Sequence, residues 1–171
     1  ALLTFSLGAS SLTSLLLPDY VAQAEVSTDA GVGILAISLV VLPPLVEEII
    51  FRGFLLERWS VKWRVGVAVI VQAVAFGILH VDPVGAGVFG VVMALMYLRS
   101  GSLWVPITMH AINNGTVLLA VIAGAGGGAD QAQASSAAET AVVGVIFLAL
   151  SSPFVAWFIY RNWPDTRTLT P

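Results

Sequence analysis

The sequence predicts an all-α fold, a polytopic membrane helix bundle with about six transmembrane helices, and three observations lead to this class. First, the 171 residues are 58% hydrophobic and only 10% charged, whereas a soluble domain carries about 25% charged residues. Second, the mean hydropathy is +0.95. Third, apolar segments recur along the whole chain, and its Lys and Arg residues collect between them.

Six apolar segments approach the roughly 20 residues that a spanning helix needs. They are residues 1–18, 31–57, 65–81, 84–99, 103–123 and 141–160. The first segment lacks the basic region of a signal peptide and begins with Ala rather than Met. We therefore interpret residues 1–30 as part of a truncated N-terminal region that contains a membrane span.

The connections between the segments carry their own signals. Asp82 can cap the fourth helix and Pro83 suits its first turn, so a helix is expected to begin there. The small residues of 85–94 predict close helix packing, and the Gly/Ala/Ser-rich residues 124–139 predict a flexible loop. No repeat divides the chain, so residues 1–171 are expected to form one membrane domain.

Basic residues predict the orientation of the bundle. Lys and Arg follow the second, fourth and sixth segments, at residues 58–64, at Arg99 and at Arg161 and Arg167. The positive-inside rule places these positions, and hence the C-terminus, in the cytoplasm. The acidic residues of the other loops are compatible with this: Asp19, Glu25, Asp29, Asp130 and Glu139. The tryptophans near the span ends suit an interfacial belt on the basic side: Trp59, Trp63, Trp104, Trp157 and Trp163.

Composition also excludes some classes of function. The chain has no cysteine, so it can form neither disulfides nor thiolate metal sites. The net charge is −3 and there is no basic patch of the kind that binds nucleic acid. The expected surroundings are the lipid bilayer, and no oligomeric state is predicted.

A few ionisable groups remain inside the apolar segments. They are Glu47, Glu48, Arg52, His80 and His110, with Asn113 and Asn114 as polar companions. Since an ionised group at mid-bilayer costs about 2.5–3.5 kcal/mol, these groups are expected to face one another.

Helix geometry separates the two glutamates. Glu48 and Arg52 are four residues apart and stack on one helix face, whereas Glu47 lies about 140° away from Arg52. We therefore expect Arg52 to neutralise Glu48 in a structural ion pair, and Glu47 to point into a site.

The histidines have i, i+4 neighbours as well. Phe76 can form one wall for His80, and His110 shares a helix face with Asn114, while Asn113 is expected to serve helix packing. On a straight-helix count His80 differs in depth from Glu47 by about 8 Å, which makes His80 the weakest member of the set.

These residue types suit hydrolysis in two ways. A carboxylate such as Glu47 can take a proton from water, and imidazole or carboxamide N–H groups can stabilise an oxyanion. Alternatively, Glu47, His80 and His110 could bind a divalent metal such as zinc, with water in its open position. The residues leave both open. The depth difference of His80 favours the metal-free arrangement, because metal ligands must lie within a narrow range of distances from the ion.

The same residues resemble those of a known family, the CPBP intramembrane endopeptidases, which include CAAX prenyl protease 2 and bacteriocin-processing and immunity proteins. "EEIIFR" (residues 47–52) matches the family's EExxxR motif, "FGILH" (76–80) matches FxxxH, and "HAINN" (110–114) matches HxxxN. The motifs occur in the family's order, within a motif core of residues 31–123.

The resemblance implies an intramembrane endopeptidase that acts on a peptide or protein at the membrane, such as a prenylated or leader-bearing substrate. It implies that Glu47 and His80 activate water and that His110 and Asn114 form the oxyanion hole, with Glu48, Arg52 and Phe76 in support. We also expect the protein to lie in the plasma or inner membrane of a prokaryote. The family is commonly labelled as metalloproteases, so metal dependence stays open.

Two other functions stay open at this point. Glu, His and Arg inside a membrane also serve ion or proton pathways, although the fourth and sixth segments have almost no polar side chains. A catalytically silent scaffold that binds a partner in the bilayer is the second alternative, and the intact motif residues argue against it.

Overall fold

A computed structural model describes residues 1–16, 31–126 and 137–164, and these residues form helices and short connections without any strand. The helices are α1 (Leu2–Leu16), α2 (32–62), α3 (Val65–Ile78), α4 (Pro83–Ser100), α5 (Trp104–Gly126) and α6 (Ala137–Asn162). The predicted all-α helix bundle is thereby confirmed. The predicted acidic loop at Asp19, Glu25 and Asp29, most of the Gly-rich loop, with Asp130, and Arg167 lie outside the described residues.

Three of these helices are long and apolar enough to cross a membrane: Gly33–Lys62, Pro83–Ser100 and Ala141–Asn162. Leu2–Leu16 and Val65–Ile78 are apolar but shorter. The bundle also exposes many large apolar side chains, among them Ile34, Phe54 and Leu150, as a surface that faces lipid does. The number of six spans stays a prediction.

Helix α2 is continuous but changes its winding along its length. Two π-helical stretches, Ile37–Val41 and Ile49–Leu56, flank an α-helical stretch at Leu42–Glu48. Pro43 and Pro44 lie in that middle stretch and lack the N–H groups that would bond to carbonyls one turn earlier. Interruptions of this kind are frequent at functional sites, and here Glu47 and Glu48 are the last two residues of the middle stretch.

Helix α4 contacts each of the other five helices and forms the centre of the bundle. Its small residues permit this: a Cβ atom on Gly90 would lie 3.1 Å from the Cα atom of Ala73 on α3. The predicted close packing of residues 85–94 is therefore confirmed. A core of Phe51, Phe76, Phe89, Val92, Met93 and Val155 lies next to this contact.

The start of α4 is fixed by Asp82, as predicted. Its carboxylate accepts a hydrogen bond from the Gly85 N–H at 2.9 Å and another from the Thr13 hydroxyl of α1 at 3.0 Å. Helix α1 also packs closely on α6, where a Cβ atom on Gly8 would lie 2.9 Å from the carbonyl oxygen of Gly144. Helix α1 is thus joined both to α6 and to the α3–α4 loop, which carries His80.

Candidate active site

The predicted polar residues meet where α2, α3, α4 and α5 come together. Glu48 lies at the buried centre, where its Oε1 atom accepts hydrogen bonds from Arg52 Nη1 at 3.0 Å and from His110 Nδ1 at 2.8 Å. The side chains of Glu48 and Arg52 are 0% exposed and that of His110 is 5% exposed. The predicted Glu48–Arg52 ion pair is present, and His110 extends it to α5.

Arg52 connects this group to the core of the bundle. Its Nη2 atom donates to the carbonyl of Gly90 at 3.0 Å, and its guanidinium carbon lies 4.8 Å from the centre of the Phe76 ring. The Gly90 carbonyl also accepts a hydrogen bond from Gln72 Nε2 at 3.1 Å. These contacts hold Arg52 in a fixed position, whereas its Nε–H group has no hydrogen-bond partner among the described residues.

Glu47 has a different environment from its neighbour. Its side chain is 27% exposed, but its Oε2 atom is buried and has no hydrogen-bond partner among the described residues. That oxygen lies 3.6 Å from His80 Nε2 and 3.9 Å from His110 Nε2. The Glu47 carboxylate therefore faces both imidazoles.

The other ring nitrogens fix how each imidazole is turned. His80 Nδ1 lies 2.7 Å from the carbonyl oxygen of Phe76, and that oxygen can only accept, so Nδ1 carries the hydrogen. His110 Nδ1 faces the Glu48 carboxylate and carries a hydrogen for the same reason. In the neutral form both Nε2 atoms then have a lone pair directed towards Glu47.

Phe76 and Phe89 enclose the imidazoles. The ring of His80 stacks on Phe76 with 4.2 Å between the ring centres, as predicted for this i, i+4 pair. The ring of His110 meets Phe89 edge to face at 5.0 Å. These contacts restrict both rings to one orientation.

His80 reaches Glu47 despite the depth difference of about 8 Å that a straight-helix count gives. Helix α3 ends at Ile78, so His80 lies in the turn that follows, where its N–H bonds to the Gly77 carbonyl. The π-helical stretches of α2 also depart from the regular rise per residue. The straight-helix count therefore does not apply, and it does not weaken the assignment of His80 to the cluster.

Asn114 faces α2 at a different point from His110. Its Nδ2 atom donates to the Leu39 carbonyl at 2.9 Å. With α-helical spacing that carbonyl would accept from the N–H of residue 43, and with the π-helical spacing of Ile37–Val41 from that of residue 44, and both residues are prolines. Asn114 thus supplies the donor that these prolines lack. Asn113 Nδ2 donates to Asn114 Oδ1 at 3.5 Å, a contact within α5, so the role of Asn113 in helix packing stays a prediction.

The donor atoms around Glu47 are of the type that binds zinc, namely one carboxylate oxygen and two imidazole nitrogens. Their arrangement is not that of a metal site, since within the described ranges no group of three or more His, Cys, Asp or Glu side chains could hold an ion. No reaction step through a metal is therefore derived below.

Sequence comparison places these residues within a known family. Residues 30–116, about half of the chain, match the family model described as type II CAAX prenyl endopeptidase Rce1-like. The chain belongs to the Rce1-like family. Together with the apolar helices, this makes it an integral membrane protein. The matched residues include every member of the polar cluster, whereas α1 and α6 lie outside them.

One curated relative comes from Bacillus subtilis (strain 168) and bears the name "Putative membrane peptidase YdiL". The two sequences are 30% identical over 100 residues, which are 57% of this chain and 41% of the relative. The chain thus spans about two fifths of the length of that relative. No solved structure matches the chain.

Sequence reasoning missed two members of the cluster. Gln72 is fully buried and shares the Gly90 carbonyl with Arg52. Its signal was visible, because it is a carboxamide inside an apolar segment. The Leu39 carbonyl was missed as well, although two consecutive prolines indicate that carbonyls one turn earlier lack a backbone N–H partner.

Proposed function

We propose that this Rce1-like chain is an intramembrane endopeptidase in which Glu47 acts as the general base. The observation that carries the proposal is the position of Glu47. One carboxylate oxygen is buried beside two imidazole Nε2 atoms while the side chain remains partly exposed. Its neighbour Glu48 is fully buried instead, and its Oε1 atom is bonded to Arg52 and His110.

In the proposed reaction, Glu47 removes a proton from a water molecule as the water oxygen attacks the carbonyl carbon of a peptide bond. The carbonyl π electrons move to oxygen and form an oxyanion. When that intermediate collapses, the C–N bond breaks and the leaving nitrogen takes the proton that Glu47 had received. His80, held by Phe76, orients the water.

His110 is proposed to act on the oxyanion. With both imidazoles neutral, the two carboxylates and one guanidinium of the cluster carry one net negative charge, and one proton on an imidazole balances it. On His110 that proton would sit on Nε2, while Nδ1 stays bonded to Glu48. An Nε2–H group is then a donor of the kind that stabilises oxyanions.

Asn114 is proposed as the second donor. The carboxamide has two N–H groups, and the bond to Leu39 uses one of them. The other remains for the oxyanion, if the reacting carbonyl enters between α2 and α5. The contact at Leu39 would then also hold the carboxamide in place.

The proposed substrate is a peptide or protein segment in or at the membrane. The family description supports a C-terminal segment next to a prenylated cysteine, and a leader-bearing peptide would suit the same site. The chain is further proposed to work as a single domain, residues 1–171, in a prokaryotic plasma or inner membrane. The basic end of the bundle, with the C-terminus, would face the cytoplasm.

The proposal is tested by mixing purified, reconstituted protein with membrane proteins from its host and sequencing the new N-termini. Wild-type protein and a Glu57→Gln control are expected to generate the same new termini, because Glu57 lies on the same helix but its carboxylate bonds Tyr97 outside the cluster. Glu47→Gln protein should generate none of them. A silent scaffold or an ion pathway predicts no cleavage with any of the three proteins.

Metal dependence is tested in the same assay. The metal-free mechanism proposed above predicts that dialysis against a chelator leaves turnover unchanged. Stoichiometric zinc that is removed and restored in step with activity would overturn the metal-free mechanism.

A further inference from the structure

A second site candidate lies at the other end of the bundle, where α4 and α6 end. An open groove of about 850 Å³ is lined there by Arg99, Ala156, Ile159, Tyr160, Arg161, Trp163 and Pro164. A neighbouring groove of about 380 Å³ is lined by Arg64, Gly66, Val67, Ile70, Val71, Trp163 and Pro164. Trp163 and Pro164 belong to both, so three arginines surround one tryptophan.

The arginines that line the grooves bring positive charge to this end of the bundle. In the described part of the chain, no carboxylate forms an ion pair with Arg64, Arg99 or Arg161. Arg99 Nη2 donates to the backbone carbonyl of Arg161 at 3.2 Å, which ties the ends of α4 and α6 without neutralising either side chain. The nearby carboxylate of Glu57 accepts from Tyr97 at 2.7 Å. The grooves therefore present positive charge to an anion.

Helix length gives the depth of the grooves. Helix α4 has 18 residues and spans about 27 Å at 1.5 Å per residue, close to the hydrocarbon thickness of roughly 30 Å. Arg99 is in its last turn and Asp82 caps its start. The arginines consequently lie at the level of the lipid headgroups of one leaflet, at the end opposite to the loop that carries His80.

The groove walls are apolar away from the arginines. Val67 and Ile70 are exposed on α3, and Ala156 is exposed on α6. Tyr160 and Trp163 stand at the rim, where aromatic side chains with a polar tip favour the membrane interface. An apolar wall that continues from a cationic end suits a ligand with a phosphate and acyl chains better than a free anion.

We propose that these joined grooves bind the headgroup of an anionic phospholipid. Guanidinium groups bind phosphate oxygens through two parallel hydrogen bonds, and basic pockets between membrane helices are known lipid sites. The phosphate lies between Arg99 and Arg161, Arg64 contacts the same headgroup across Trp163, and the acyl chains follow α3 and α6. The lipid thereby links three helix ends, independently of whether the chain cleaves peptides.

The test uses the full chain, purified in detergent, and measures the rise in melting temperature on addition of phosphatidylglycerol. Phosphatidylcholine and inorganic phosphate serve as comparison ligands, and native mass spectrometry counts the retained lipid. Phosphatidylglycerol is expected to raise the melting temperature and stay bound, whereas phosphatidylcholine and phosphate should do neither. Stabilisation by phosphate to the same extent would overturn the lipid assignment in favour of a free anion.

Variants locate the site. The double variant Arg99→Gln/Arg161→Gln is expected to bind phosphatidylglycerol roughly 30-fold more weakly, since each basic residue near an anionic headgroup contributes roughly fivefold. The control Arg58→Gln/Lys62→Gln removes the same charge outside the groove linings and should bind within about twofold of wild type, as a site-specific contact predicts. Equal losses in both double variants would mean general attraction to charge and would overturn the site.

A third variant is needed because Arg99→Gln/Arg161→Gln loses the hydrogen bond from Arg99 to the Arg161 carbonyl and could therefore fail to fold. Arg64→Gln leaves that bond intact and is expected to weaken lipid binding roughly fivefold. Unchanged lipid binding by Arg64→Gln would show that the grooves do not act together. Displacement of the lipid by a short peptide with a free C-terminal carboxylate would assign the groove to a peptide instead and overturn the proposal.

Discussion

Two adjacent glutamates, Glu47 and Glu48, have opposite environments in this bundle. Glu48 is fully buried and its Oε1 atom accepts from both Arg52 and His110, whereas Glu47 is partly exposed and its Oε2 atom lies beside the two imidazoles. Each glutamate has a buried Oε2 atom without a hydrogen-bond partner among the described residues, so the contrast lies in exposure and in the bonds to Arg52 and His110. A fully buried carboxylate that is bonded to an arginine and a histidine can hold helices together, but it cannot easily exchange protons. The difference teaches that one side of the cluster is a support and the other is free to react.

The support extends well beyond Glu48. Arg52, Gln72 and the Gly90 carbonyl join α2, α3 and α4 through hydrogen bonds in the protein interior. His110 then connects this group to Glu47, since its two ring nitrogens face the two different glutamates. Substitutions in the group around Glu48 are expected to change stability, and substitutions at Glu47 are expected to change turnover.

The largest effect is expected from Glu47→Gln. The amide keeps the shape of the side chain but cannot accept a proton from water, so turnover should fall by roughly 10²–10⁴-fold, the usual range for a general base. Because the buried Oε2 atom of Glu47 has no hydrogen-bond partner among the described residues, the melting temperature should stay close to that of wild type. The measurement combines a cleavage assay with thermal unfolding, and near-normal turnover would show that Glu47 is not the base.

Glu48→Gln is expected to act mainly on stability. It removes the charge that compensates buried Arg52, and breaking a buried ion pair from one side costs about 3–5 kcal/mol. The amount of folded protein should therefore fall, while the remaining folded protein keeps measurable turnover. The matched variant Glu48→Gln/Arg52→Gln removes both charges and should recover part of the loss. Normal yields of Glu48→Gln would contradict the supporting role.

Asn114→Ala is expected to lower turnover by about 10²–10³-fold if its free N–H stabilises the oxyanion. The same substitution also removes the donor to the Leu39 carbonyl, so a lower activity alone does not identify the cause. The additional substitution Pro43→Ala restores a backbone N–H that can bond Leu39. Turnover that stays low in Asn114→Ala/Pro43→Ala supports the oxyanion role, and turnover that recovers assigns Asn114 to the helix break.

Sequence and structure agree where contacts are local. The Glu48–Arg52 and Phe76–His80 contacts follow from i, i+4 spacing, and the Asp82 cap follows from residue type. Convergence of the two histidines on Glu47 could be expected only because isolated charges are unfavourable in a membrane.

Contacts between distant helices were harder to predict. The meeting of Arg52 and Gln72 at the Gly90 carbonyl depends on how closely α3 approaches α4, which is set by Ala73 and Gly90 together. No spacing rule within one helix contains that information. The depth of His80 was misjudged because the count assumed straight helices, while α2 has π-helical stretches and α3 ends before His80.

The smallest effect is expected from Gln72→Leu, at the far edge of the support. Gln72 Nε2 donates to the carbonyls of Val69 and Gly90, but Gly90 keeps its bond from Arg52. Its Oε1 atom is buried without a partner among the described residues, and that is unfavourable. The loss of two hydrogen bonds is unfavourable, whereas the removal of an unpaired buried acceptor is favourable. The two effects nearly cancel, so the free energy of unfolding should change by about 1 kcal/mol or less.

Gln72→Glu provides the contrast at the same position. It adds a buried charge next to Arg52, where it would compete with Glu48 for the guanidinium, so His110 should lose its fixed orientation and turnover should fall more than with Gln72→Leu. Unfolding in denaturant and turnover are measured for both variants. A loss above about 3 kcal/mol for Gln72→Leu would instead mean that Arg52 depends on Gln72 to hold the Gly90 carbonyl, as members of one buried polar network do. The hydrogen-bonded group that supports Glu48 would then extend to Gln72 on α3, rather than end at Arg52.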